Sequence, residues 1–230
     1  VQIENHEGQR DRARETVARL VREADHPPLN QTIEFANLLR TNGTYLYDHA
    51  EAVDQFTRAW EITAAHYGED SPIALSDQRY IIVRDLNGPH RLDTARMLSS
   101  QAERVKAAFG EQSLDYADVL TIQCEMHETQ ENYTEAGTCW RQVLAIYENA
   151  PDAELLLAYT YDNIAANLLK LGNPSEALPF YERELAQRSK NFAPSNSNVI
   201  HSRLQIAKTR CLIGDIDRAI ADYDQALQLN

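Results

Sequence analysis

Apolar residues along the chain fall into short stripes of helical period separated by polar breaks. Ile164, Ala165, Leu168 and Leu169 share one face before Gly172, and Ala177, Tyr181 and Leu185 continue at the same spacing after it. One amphipathic helix therefore hands over to another. Asn173-Pro174 and Asp215 open the second helices, where a short acceptor side chain or a proline suits the unsatisfied N–H groups of a helix start. The phrase from Gly172 to Tyr181 returns from Gly214 to Tyr223, with a Gly five residues before an Ala and the Ala four residues before an aromatic. The spacing predicts a repeated helix–turn–helix unit.

The Ala-x-x-x-aromatic pair occurs again as Ala136 with Trp140 and Ala52 with Phe56, and in weaker form as Ala95 with Ser99 and Ala13 with Val17. The six alanines stand 39, 43, 41, 41 and 42 residues apart, a regularity that composition alone does not produce and that settles the fold before any local reading. The pattern predicts one continuous domain over 1–230. A half repeat at 10–26 is stopped by His26-Pro27-Pro28, and helical hairpins follow at about 29–67, 73–109, 113–149, 154–189 and 199–229. Asn42-Gly43 is read as the break inside the first hairpin and Asn87-Gly88-Pro89 as that of the second. Gln130 to Tyr133 forms a turn without glycine in the third.

These repeats resemble tetratricopeptide repeats, whose signature includes Ala-x-x-x-Phe on the second helix. Their longer period is similar to that of the kinesin-light-chain type. Ser99 in place of the aromatic, Arg210 on a first helix, and the extra residues between Gly43 and Ala52 depart from the pattern. The resemblance covers nearly all of the chain. It implies an all-α fold, a right-handed superhelix (solenoid) of stacked antiparallel helix pairs, whose first helices line a concave groove that holds a peptide or a partner helix. Setting the small residue of each first helix against the core makes the groove candidates Asn37 and Arg40; Tyr80, Arg84 and Asn87; Thr121, Glu125 and Glu128; Tyr159, Asp162, Asn163 and Ala166; and His201, Gln205 and Lys208. The carboxylate clamp of chaperone-binding family members is not expected, because Glu125 and Ala166 occupy two of the positions that Arg84 and Lys208 share with it, and neither can pair with a carboxylate.

Composition narrows the partners. The 230 residues carry a formal charge of −13, which repels nucleic-acid phosphates and leaves a protein or peptide segment, basic or of mixed charge, as the expected partner. Only 8 Gly and 8 Pro, with no alternating β-branched runs, argue against sheet and against phosphate-binding loops. Cys124, Cys139 and Cys211 are odd in number and lie on predicted helices, so they are read as small buried fillers in a reducing, cytoplasmic setting and not as a disulfide framework. No apolar run reaches the length of a membrane span, and no charged-then-apolar leader pattern is read within these residues. The start at Val1, without Met and inside a half repeat, and the matching end at Asn230 are read as those expected of a segment of a longer protein, so an intramolecular contact with other parts of the parent chain is a further candidate.

Chemistry is sparse. Cys124 and His127 share a helical face but have no second ligand pair, so no metal is expected. Glu125, Glu128 and Glu131 line one helix face and read as solvated. No nucleophile elbow or phosphate motif occurs, no cofactor is implied, and no enzyme is expected. The function predicted is a non-catalytic protein-interaction scaffold. The alternative is the regulatory or sensory region of a larger signalling protein, such as a kinase, a nucleotide-dependent switch or a transcription regulator.

Overall fold

A computed structural model describes residues 2–85, 91–151 and 153–229, and the described residues are helical throughout apart from short connections. They divide into two compact units, 1–111 and 112–230. The first holds α1 (Gln2–Ala24), a single 3-10 turn (Leu29–Gln31), α2 (Ile33–Tyr45), α3 (His49–Tyr67), α4 (Pro72–Asp85) and α5 (Arg91–Phe109). The second holds α6 (Leu114–Thr129), α7 (Tyr133–Tyr147), α8 (Glu154–Lys170), α9 (Pro174–Asn191), α10 (Ser197–Ile213) and α11 (Ile216–Leu229).

Local chemistry starts the helices. Thr32 accepts from Phe35 N (3.2 Å), Asp48 from Glu51 N (2.8 Å) and Ser113 from Tyr116 N (3.1 Å), each satisfying an amide the helix leaves unpaired. At the other end, Gly172 and Gly214 take positive φ of 79° and 92°. Asn173 N then reaches Leu168 O at 2.9 Å and Asp215 N reaches Arg210 O at 2.9 Å, the closure that a left-handed residue allows. The glycine-free third turn makes the same closure, Asn132 N to His127 O at 2.9 Å, with Glu131 itself at φ 60°.

Packing follows the repeated alanines. In each unit a second helix packs on its own first helix and on the first helix of the next hairpin, as α3 does on α2 and α4, α7 on α6 and α8, and α9 on α8 and α10. Ala52, Ala136, Ala177 and Ala219 are all fully buried at these contacts, and the aromatics Phe56, Trp140 and Tyr181 are buried one turn later. The weaker copies are only half-buried at Ala13 and Ala95. Ser99 sits at the surface with its hydroxyl donated to Ala95 O (3.1 Å). Arg210, a second departure, pairs with Asp222 on α11 and with Glu182 on α9 (3.0 Å).

The Asn42-Gly43 break does not exist. The helix α2 runs through both residues to Tyr45, and the chain turns at Leu46 to Asp48. Gly43 serves close approach: a Cβ there would lie 2.9 Å from the Phe56 ring. Asn42 is buried and donates to Gln55 Oε1 at 3.2 Å, so both residues face the neighbouring helix instead of solvent. The Asn87-Gly88-Pro89 turn lies outside the described residues.

The cysteine reading is also corrected. Cys124 on α6 and Cys139 on α7 form a disulfide, with Cα atoms 5.4 Å apart, and Cys211 is free and exposed. The odd count concealed one pair, and the argument for a reducing compartment loses its premise, since structural disulfides persist where the surroundings are oxidising. No helix among the described residues is long and apolar enough to cross a membrane.

Candidate functional site

In the first unit most of the predicted groove residues are engaged with their own fold. Arg40 donates to both Asp77 oxygens and to Asn37 Oδ1, and Asp77 is buried and also accepts from Thr63 Oγ1 at 2.7 Å. A buried carboxylate needs such donors, so Arg40, held in place by Asn37 on its own helix, stitches α2 to α4. Tyr80 stacks on Phe56 with ring centroids 5.1 Å apart. Arg84 lines a pocket of about 330 Å3 with Arg10, Arg14 and the Tyr45–Tyr47 connection. Asn87 lies outside the described residues.

The second unit brings its candidates together. Glu125 and Glu128 of α6 and Tyr159 and Asn163 of α8 line one cleft of about 470 Å3, with Ala166 on the same wall. Glu125 accepts the Tyr159 hydroxyl at 2.6 Å. Glu128 accepts Trp140 Nε1 at 2.8 Å, and the Trp140 ring meets Tyr159 edge-on at 5.9 Å. Asn163 donates to Tyr159 O at 3.1 Å. Burial lifts the Glu128 carboxyl above its ordinary range, helped by the charges of Glu125 and Asp162 and opposed by the Trp140 N–H. Burial, then the bond to Glu125, lifts the Tyr159 phenol.

Spacing did not point to the cleft's other residues, Thr129, Tyr133, Asn167 and Lys170. Asn167 lies one turn beyond Asn163 on α8, and continuing the predicted stripe by four residues reaches it. Thr121 is half-buried and returns its hydroxyl to Ala117 O at 3.0 Å. On α10, Gln205 pairs with His201 at 3.1 Å and Lys208 is exposed.

Asp162 belongs to a separate cluster. Glu184 on α9 is fully buried, contacts Arg188 Nε at 2.8 Å and accepts the Ser202 hydroxyl at 2.9 Å, while Arg188 also approaches Asp162 at 3.8 Å. Burial, reinforced by the charge of Asp162 and opposed by Arg188 and Ser202, pushes Glu184 up to about 7. Burial likewise raises Asp162, against Arg188 and His201. The folded protein therefore binds more protons than the unfolded chain between the ordinary carboxyl value of 4.5 and about 7. The Glu184 contribution to stability is complete below that window and is lost as pH rises through it. Glu184→Gln, which keeps an acceptor for Ser202 and Arg188, is expected to flatten the fall in melting temperature between pH 5 and pH 8. Equal slopes for variant and wild type would contradict this.

Among the described residues no group of three or more His, Cys, Asp or Glu is placed to hold a metal ion. The family model described as tetratricopeptide repeat matches residues 115–190 and 156–230. Among solved structures, BtubC (BKLC) from P. vanneervenii is similar at 14% identity and a TM-score of 0.75, covering 100% of this chain and 91% of that one. The repeats of a putative kinesin light chain from Podosopora anserina are similar at 16% identity and a TM-score of 0.64, covering 86% and 92%. NprR in complex with its cognate peptide NprX is similar at 13% identity and a TM-score of 0.59, covering 95% and 66%. At these identities the likeness is one of fold. No curated protein matches the sequence.

Proposed function

Because the chain belongs to the tetratricopeptide repeat family, we propose that it is a non-catalytic scaffold that holds an extended peptide or a partner helix against the first helices of its hairpins. The observation that carries this reading is the cleft between α6 and α8, where four residues expected from the repeat frame, Glu125, Glu128, Tyr159 and Asn163, line one concavity. Aromatic walls with a few placed polar groups are what a small recognition site requires. The NprR structure, of similar fold, holds a peptide, which supports a peptide as the class of ligand. The charge of −13 favours a basic or mixed-charge segment.

Ala166→Arg tests the reading, because Ala166 lines the cleft without being part of the core. Peptides selected from a random display library on the wild-type chain are expected to bind the variant about ten-fold or more weakly, at unchanged melting temperature. Selected peptides that bind both proteins equally would move recognition away from this cleft and overturn the reading.

A further inference from the structure

The cleft of the second unit holds two carboxylates and one lysine. Glu125 and Glu128 stand one turn apart on α6 and line the same wall. Each is oriented through one oxygen, Glu125 by the Tyr159 hydroxyl and Glu128 by Trp140 Nε1, which leaves the second oxygen of each to accept. Lys170 also lines the cleft, yet among the described residues neither carboxylate forms an ion pair. The acids are held in place by neutral donors, and two carboxylates share the cleft with a single lysine.

A second feature points to a ligand independently. Asn167 also lines the cleft, is only 2% exposed, and its Nδ2 has no partner. Buried polar groups are nearly always hydrogen-bonded. Gly137 on α7 explains how the amide is seated: a Cβ at Gly137 would lie 2.7 Å from Asn167 Oδ1. With the carbonyl lodged against that glycine, the amino group is the part of Asn167 left without a partner. An unpartnered donor beside acceptor-only carboxylates fits a ligand that offers a cation and a carbonyl a short distance apart. A metal ion would leave the Asn167 donor unanswered, whereas a lysine or arginine residue in a peptide carries both groups.

We propose that this cleft takes one basic side chain, lysine or arginine, of the bound peptide, with its cation between Glu125 and Glu128 and a neighbouring backbone carbonyl accepting from Asn167 Nδ2. The proposal rests on the peptide-binding reading of the cleft and names what that peptide must carry. Tyr159, 42% exposed, presents a ring along which the aliphatic stem of either side chain packs, and to which its cation is attracted.

The test is a titration of the whole chain followed by nuclear magnetic resonance, using a blocked Ala-Ala-Lys-Ala-Ala peptide, its arginine and norleucine counterparts, and cadaverine as a cation without a carbonyl. The lysine and arginine peptides are expected to shift cleft resonances and to bind about ten-fold or more tightly than the norleucine peptide. The double variant Glu125→Gln with Glu128→Gln retains the oxygens that accept from Tyr159 and Trp140. It is expected to weaken the lysine peptide by a similar factor and to leave the norleucine peptide unchanged. Asn167→Ala is expected to weaken the lysine peptide and to leave cadaverine unchanged. Equal binding of the lysine and norleucine peptides would overturn the cation pocket and leave the peptide-binding reading standing. Shifts from none of the peptides would overturn both. A lysine peptide indifferent to Asn167→Ala would overturn the role of the carbonyl.

Discussion

Trp140→Ala is expected to lower the unfolding free energy by about 3–5 kcal/mol, the usual cost of removing a buried tryptophan and leaving its cavity. Trp140 is fully buried, belongs to the main cluster of the second unit, and stands one turn after Ala136 at the α6–α7 contact. Its side chain also does something no aliphatic replacement does: Nε1 donates to Glu128 and the ring edge meets Tyr159. Trp140→Phe separates the two roles. It keeps most of the apolar volume and strands the Glu128 oxygen, a loss of roughly 1–3 kcal/mol. Because the Trp140 N–H is what opposes the burial-driven rise of the Glu128 carboxyl, the phenylalanine variant also carries a Glu128 that protonates at higher pH. Urea unfolding followed by circular dichroism measures the first effect, and carboxyl resonances followed against pH measure the second. A loss below about 1 kcal/mol for Trp140→Ala would mean that the repeat contact does not depend on its aromatic.

How far the sequence discloses such a structure depends on whether a residue answers to its near neighbours or to distant ones. The repeated alanines are legible because close helix approach selects them at a fixed position, and four of the six, Ala52, Ala136, Ala177 and Ala219, are fully buried. Asn42-Gly43 misleads for the opposite reason. Locally it is a breaker pair, but the ring that requires Gly43 to be small belongs to Phe56 on the next helix. The site shows the same division. Once the repeat frame is known, Glu125, Glu128, Tyr159 and Asn163 follow from it and share one cleft. Arg40 follows from the same frame but is absorbed by Asp77, a residue 37 positions later whose burial no local pattern announces. Asn167 escapes because a buried amide on a helix reads as a polar interruption of an apolar stripe. Its meaning comes from Gly137 across the helix pair.

Replacing Cys124 and Cys139 together by alanine is expected to destabilise the protein by about 3 kcal/mol, the chain-entropy value for a crosslink of this span, the two cysteines being 15 residues apart. Both side chains are buried and small, so alanine leaves little void and the loss is mainly that of the crosslink. The pairing has a readable cause: in an antiparallel hairpin, residues equidistant from the turn face each other, and Cys124 and Cys139 flank the Gln130 to Asn132 turn almost symmetrically. Cys211→Ala, at an exposed free thiol, serves as the near-neutral control. Thiol titration of freshly denatured wild type is expected to count one reactive cysteine, and a count of three would remove the crosslink and the prediction with it. The consequence reaches the cleft, because Cys124 directly precedes Glu125 and Cys139 directly precedes Trp140. The disulfide thus ties the helix that bears both carboxylates to the helix whose indole holds Glu128. Reduction is expected to lower stability by the same amount as the double substitution, and to loosen the Trp140 to Glu128 contact, seen as a red shift of tryptophan fluorescence that the Cys211→Ala variant undergoes equally.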